Sequence, residues 1–218
     1  MVDFWSGIRD LNPESHEPES CALPIRPIPE AEFIYSTFFF DRIQIMEGYK
    51  NLSSYILATV LCDLNIKFLR SFINPKSRTW DQMEQASRSG KQNIAEGYSM
   101  QSLEGYIKLA GVALGSFKEL AADFEDFLRQ RDLVIWDKND RRIRVFREFR
   151  AIWNSPNIPN TPNLPKDPEE AANMLLTFCQ METFLLSRQT KALTEKFVKE
   201  GGFRENLFKK RLEQKRKT

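Results

Sequence analysis

Between Leu103 and Leu128 an apolar residue recurs at almost every third or fourth position: Leu103, Tyr106 with Ile107, Ala110, Ala113 with Leu114, Phe117, Leu120 with Ala121, Phe124, and Phe127 with Leu128. A pattern that tracks 3.6 residues over about seven turns fits an α-helix that buries one long stripe, and fits no strand. Such a stripe needs other apolar faces to cover it. The remaining sequence supplies them, so an all-α fold is expected.

The segment from about Glu47 to Ile73 reads as a helix that is apolar nearly all round, with Leu52, Ile56, Leu57, Val60, Leu61, Leu64, Leu69 and Phe72; Asp63 sits in its middle and Asn74-Pro75 ends it. The next helix is expected over 79–96. Thr79 is placed to cap it, Gln82 to reach back, and Gly97 to close it in the left-handed conformation. Ser102 caps the long helix, expected over 102–131, and so short a connection predicts an antiparallel hairpin. A shorter helix is expected over 140–154, with Ile143, Phe146, Phe149 and Trp153 inward. The proline-rich stretch "SPNIPNTPNLPKDP" interrupts the chain before a last helix over 168–199. Asp167 caps that helix, Pro168 takes its first turn, and Ala172, Leu175 with Leu176, Cys179, Thr183, Leu186, Leu193 and Phe197 form its stripe until Gly201-Gly202. The expected architecture is an up-and-down four-helix bundle with an extra short helix and an extended N-terminal arm.

Charge is distributed unevenly. Residues 1–32 hold seven acids against Arg9 and Arg26, along with five prolines, and are expected to be an extended or disordered arm. Residues 33–202 form the helical body, and "FIYSTFFFDRIQIM" near its start is too aromatic for free linker. Residues 203–218 carry seven bases against Glu205 and Glu213, a basic C-terminal tail. An acidic arm and a basic tail on a near-neutral body suit partner binding, or are solvated ends. No apolar run reaches the roughly 18 residues of a membrane span, and the first residues lack signal-peptide character. Cys21, Cys62 and Cys179 are odd in number and widely spaced, which suits buried thiols in a reducing compartment. A cytoplasmic location with no membrane association is therefore expected.

The stretch "RTWDQMEQASRSGKQNIAEGYSMQSLEGY" packs polar residues between small ones. Gly90, Gly111 and Gly115 fall inside helices, where each costs roughly 1 kcal/mol against alanine; close approach of packed helices is the simplest compensation. "GKQ" lacks the other residues of a phosphate loop. Asn93 and Glu96 share a helix face and are placed to bond across the hairpin to Ser116, an interhelical clamp rather than an acid–base pair.

"RSGKQNIAEG", followed by Ser102 and then "LAGVALGSFKEL", resembles the four-helix-bundle family first described as 23S rRNA intervening-sequence proteins. The longer match, with "DFEDFLRQRDLVIW", is similar to its C-terminally extended "suffix" subgroup. The resemblance spans roughly residues 47–136 and fits the remainder loosely. Arg88, Asn93, Glu96, Gly97, Ser116 and Glu119 match the family motif, as structural residues without a catalytic role; Tyr98 and Met100 depart from the polar or basic residues usual after "NIAEG". A related branch is the accessory variability determinant of diversity-generating retroelements, a pentameric barrel that binds nucleic acid and associates with a reverse transcriptase. The resemblance thus implies a homo-oligomer, a pentamer by analogy, with nucleic acid and a reverse transcriptase or other enzyme as partners.

"DRRIRVFREFR" sets Arg141, Arg144, Arg147 and Arg150 in a row with Arg142 beside it, and few acids lie among them. Such a row tracks a phosphate backbone or is a solvated face. Lys209, Lys210, Arg211, Lys215, Arg216 and Lys217 in the tail add nonspecific affinity for RNA or DNA, or serve only solubility. Asp123, Glu125 and Asp126 are too few for an oxygen-only metal site and read as a solvated face. His16, the only histidine, lies beyond Pro13 from Arg9, which prevents a helical Arg–His pair. No cofactor and no metal are expected. The sequence reading is a non-enzymatic, homo-oligomeric adaptor binding nucleic acid through basic surfaces. The alternative is a protein-interaction module that docks a partner enzyme through its arm or tail.

Overall fold

The computed structural model describes residues 48–148 and 162–217, and every described regular element is helical. A 3-10 helix at Gly48–Asn51 leads into α1 (Ser53–Phe72); α2 (Arg78–Ser99), α3 (Leu103–Arg129), α4 (Arg141–Glu148), α5 (Pro168–Glu200) and α6 (Phe203–Lys217) follow. The helix expected over 47–73 begins later because Leu52 is extended, with φ −70° and ψ 129°. The acidic arm, the aromatic segment before residue 47, Cys21, and Phe149, Arg150 and Trp153 lie outside the described residues.

Four helices close a ring: α2 packs on α3, α3 on α5, α5 on α1, and α1 on α2, while α4 rests on α5. The core is contiguous. Leu57, Leu61, Leu64 and Phe68 of α1 meet Met83 and Ile94 of α2, Phe117, Leu120 and Phe124 of α3, and Leu175, Phe178 and Leu186 of α5. Phe68 stands edge-on to Phe124 and Phe127, with centroids 5.1 and 4.8 Å away. Aromatic pairs of this geometry add to the roughly 1.5–3 kcal/mol that burying each such side chain contributes.

Helix starts follow their caps. Ser77, not Thr79, caps α2: its hydroxyl accepts from the Trp80 amide at 3.2 Å, and Thr79 lies inside the first turn. Serine two residues upstream wins because Ser77 is the last extended residue, with ψ 145°. Ser102 and Asp167 cap α3 and α5 as expected, through the amides of Gly105 and Glu170.

Helix stops divide. Gly201, φ +76°, ends α5 in the left-handed region. Gly97 does not end α2, which continues to Ser99. Gly97 is buried instead, and a Cβ there would lie 3.0 Å from Tyr106 and 3.2 Å from Leu109 of α3. Beyond Gly201, the basic tail is helical over Phe203–Lys217, with Glu205 in its first turn and Lys215, Arg216 and Lys217 in its last. That placement opposes the helix dipole at both ends.

Candidate nucleic-acid interface

The helical hairpin that holds the family-like motif has a fixed register. Gly97 faces Tyr106 and Leu109, Gly90 faces Phe117, and Ser89 faces Ser116. Rising numbers on one helix meet falling numbers on the other, so α2 and α3 run antiparallel. Gly90 fits the expectation of close packing, since a Cβ there would sit 2.5 Å from the Phe117 ring. Gly111 and Gly115 do not: both are exposed, with nothing within 4 Å of a Cβ. They fall on the outward side of α3, where the neighbouring helices do not reach.

The expected clamp also changes its members. Ser116 Oγ bonds Ser89 Oγ at 3.3 Å, and Asn93 Nδ2 donates to Ser89 Oγ at 3.2 Å and to the Ser89 carbonyl at 2.8 Å. Asn93 therefore reaches Ser116 only through Ser89. Glu96 turns to solvent and accepts from Gln92 at 2.8 Å. Arg88 and Glu119 are exposed. A small side chain at Ser89, four residues before Asn93 and in register with Ser116, was the missed signal.

Below this hairpin lies a buried polar group that sequence reasoning also missed. Asn65 Nδ2 donates to the Met83 carbonyl at 2.9 Å and to Ser87 Oγ at 3.1 Å, and the Cys62 thiol donates to the Ser87 carbonyl at 3.1 Å. Burial pushes the Cys62 thiol up to about 11 and raises Cys179 well above its ordinary value, so both are inert thiols. Glu182 is wholly buried, its carboxylate oxygens have no hydrogen-bond partner among the described residues, and burial raises its pKa well above the usual carboxylate range. It occupies the stripe position assigned to Thr183, which is only half-buried. Spacing alone places Glu182 between Cys179 and Leu186, three residues from one and four from the other.

The basic surfaces are built differently. The irregular stretch before α4 is pinned to the start of α5. Trp136 Nε1 donates to Glu169 at 2.7 Å, the Val134 amide donates to the same carboxylate at 3.1 Å, and Asn173 bonds both the Trp136 amide and the Val134 carbonyl. These two donors hold the Glu169 carboxyl below its ordinary pKa. On that platform Trp136 stacks with Phe146 at 6.1 Å, and the Arg142 guanidinium lies 3.4 Å over its ring. Arg142 also forks onto Asp140 at 2.8 Å, which holds the Asp140 carboxyl down at about 2. Arg142 is thus engaged on one face by the Trp136 ring and along its edge by Asp140, while its side chain stays 54% exposed.

Arg141, Arg144 and Arg147 are exposed on α4, and no ion pair within the described residues engages them. Arg147 borders a pocket of about 300 Å³ shared with Thr177, Met181, Phe184 and Leu185. On α6, Lys209, Lys210, Arg211, Lys215, Arg216 and Lys217 are exposed as well. No group of three or more acidic, histidine or cysteine side chains suited to a metal ion occurs among the described residues. Among those residues no helix is long and apolar enough to cross a membrane. Asp123 sits half-buried beside Asp126 and Glu119, and burial with those two charges raises its pKa. No family model, curated protein or solved structure matches the chain.

Proposed function

We propose that the protein is a non-enzymatic adaptor that binds nucleic acid, RNA or DNA, with low sequence specificity. In this reading it is an up-and-down bundle that self-associates and serves a reverse transcriptase, as the resemblance of its hairpin motif implies. The carrying observation is α6. It is a helix of 15 residues with no buried side chain and six exposed bases in its last nine residues. Isolated helices of that length are marginal in water, and such a charge array suits a polyanion. Arg141, Arg144 and Arg147 form a second array, and Phe184, 54% exposed beside Arg147, offers a ring face on which a base can stack.

The test is binding of the full chain to single-stranded RNA and to duplex DNA across a salt series. Affinity should fall steeply as salt rises. Replacing Lys209, Lys210 and Arg211 by glutamine should flatten the logarithmic slope on duplex DNA by roughly 2 to 3, about 0.9 per lost phosphate contact. Absence of binding at low salt removes the reading.

A second reading is favoured by other residues of the same helix. Phe203, Leu207, Phe208 and Leu212 are 41–62% exposed among the bases of α6. Exposed apolar side chains interleaved with charge suit a protein partner, and docking of an enzyme through α6 alone would leave affinity for nucleic acid absent at every salt concentration.

A further inference from the structure

The outward side of α3 carries a row that the neighbouring helices leave exposed; at its start Glu104 lies against Gly202. From Glu104 to Arg129 it advances in alternating steps of four and three residues, and every member is exposed. This is the spacing of a helix-pairing seam. Two glycines stand at its centre, Gly111 and Gly115, and nothing in the described chain approaches either. Val112, 45% exposed, flanks them.

We propose that this face is an interface with a second copy of the same chain, with α3 pairing antiparallel across a two-fold axis. The argument is the order of charges along the row. Turned end for end against itself, Glu104 falls opposite Arg129 and Lys108 opposite Glu125. Gly111 then faces Ala122, and Gly115 faces Lys118. Charges of opposite sign meet at both ends, and a glycine stands on one side of each middle pair, where two helix axes must come closest; the stem of Lys118 lies over Gly115 of the other copy. The two-fold axis repeats each pair, so one self-complementary row supplies both sides of the interface. Val112 of each copy lies against Ala121 of the other, which is half-buried in its own bundle. Arg129 already pairs with Asp126 at 2.7 Å, on a surface where both are more than half exposed, and remains open to a further carboxylate. The inference puts a two-fold pair in place of the pentamer that the resemblance implies, and rests only on the self-association in the reading above; nucleic-acid binding is independent of it.

Sedimentation of the full chain over a concentration series at low salt tests the proposal. The expected result is a reversible monomer–dimer equilibrium. Lys108→Glu and Glu125→Lys should each weaken it about tenfold, a 1.4 kcal/mol change. Within one helix these residues are 17 positions apart, about 25 Å, so neither can compensate the other inside a single chain. Mixing the two variants should therefore yield a heterodimer, and the double variant should regain the original dissociation constant. Gly115→Arg sets bulk and like charge against Lys118 of the second copy; it should abolish the dimer while leaving the thermal midpoint unlowered. A monomer at all concentrations overturns both the interface and the self-association reading. An oligomer indifferent to all three substitutions overturns the interface alone, and so does weakening without recovery on mixing.

Discussion

Gly90 and Gly111 have the same chemistry in the same kind of helix, yet opposite surroundings. At Gly90 a methyl group would enter the Phe117 ring, which is itself wholly buried. Gly90→Ala should lower stability by about 1–3 kcal/mol, overpacking that exceeds the gain in helix propensity. Gly111→Ala meets no atom of its own chain and should raise the stability of the monomer by up to about 1 kcal/mol. Denaturant midpoints of the two variants should move in opposite directions. Glu182 supplies the third case. Its folded pKa is raised, so the folded chain keeps a proton that the unfolded chain releases above its ordinary pKa of about 4.3. Stability is therefore greatest below that value and declines as pH climbs toward the folded pKa. Glu182→Gln should remove the decline: a thermal midpoint that gains on the parent as pH rises from about 5 to 8 is the expected signature, with no gain near pH 4. Parallel midpoints across that range would mean that the carboxyl is solvated or paired.

At the scale of elements, boundaries were the hardest part to read from sequence. The three-four periodicity of α3 was fully legible because it reports burial, and burial follows the pitch of the helix. Caps and stops depend on one backbone angle each. Ser77 and Thr79 are equally good capping types two residues apart, and only the extended backbone of Ser77 distinguishes them. Ser77→Ala should cost about 1 kcal/mol, whereas Thr79→Ala should change stability by less than about half that, on a position where alanine is the better helix former. Chemical denaturation of the two single variants separates them. Gly97 reads as a stop because a glycine that ends a helix and one that admits a neighbouring side chain look identical in a sequence. The difference lies in Tyr106 and Leu109, residues of another helix. Arg142 shows the same limit at the candidate interface. A row of arginines is visible in one dimension, but the Asp140 and Trp136 partners that engage Arg142 beside it are not.

Over the whole molecule, the helical ring follows from patterning, while its outer surface does not. Interior positions answer to a common core, so each stripe predicts the others. Exterior positions such as Arg141, Lys209 and Gly115 answer to whatever approaches from outside, and the sequence of one chain contains only half of that contact. The corner at Gly201 has a consequence for that approach. α5 has 33 residues, about 50 Å, against about 30 Å for the 20 residues of α1, and its last turns are largely exposed. A straight continuation through residue 201 would carry the charges of α6 a further 20 Å or so beyond that end. The left-handed backbone at Gly201 turns them away from that line, with Gly202 buried against Glu104 and Phe197. If α6 binds a polyanion as proposed, the place of its charges is set by the backbone at Gly201 and Gly202, two residues that carry no charge at all.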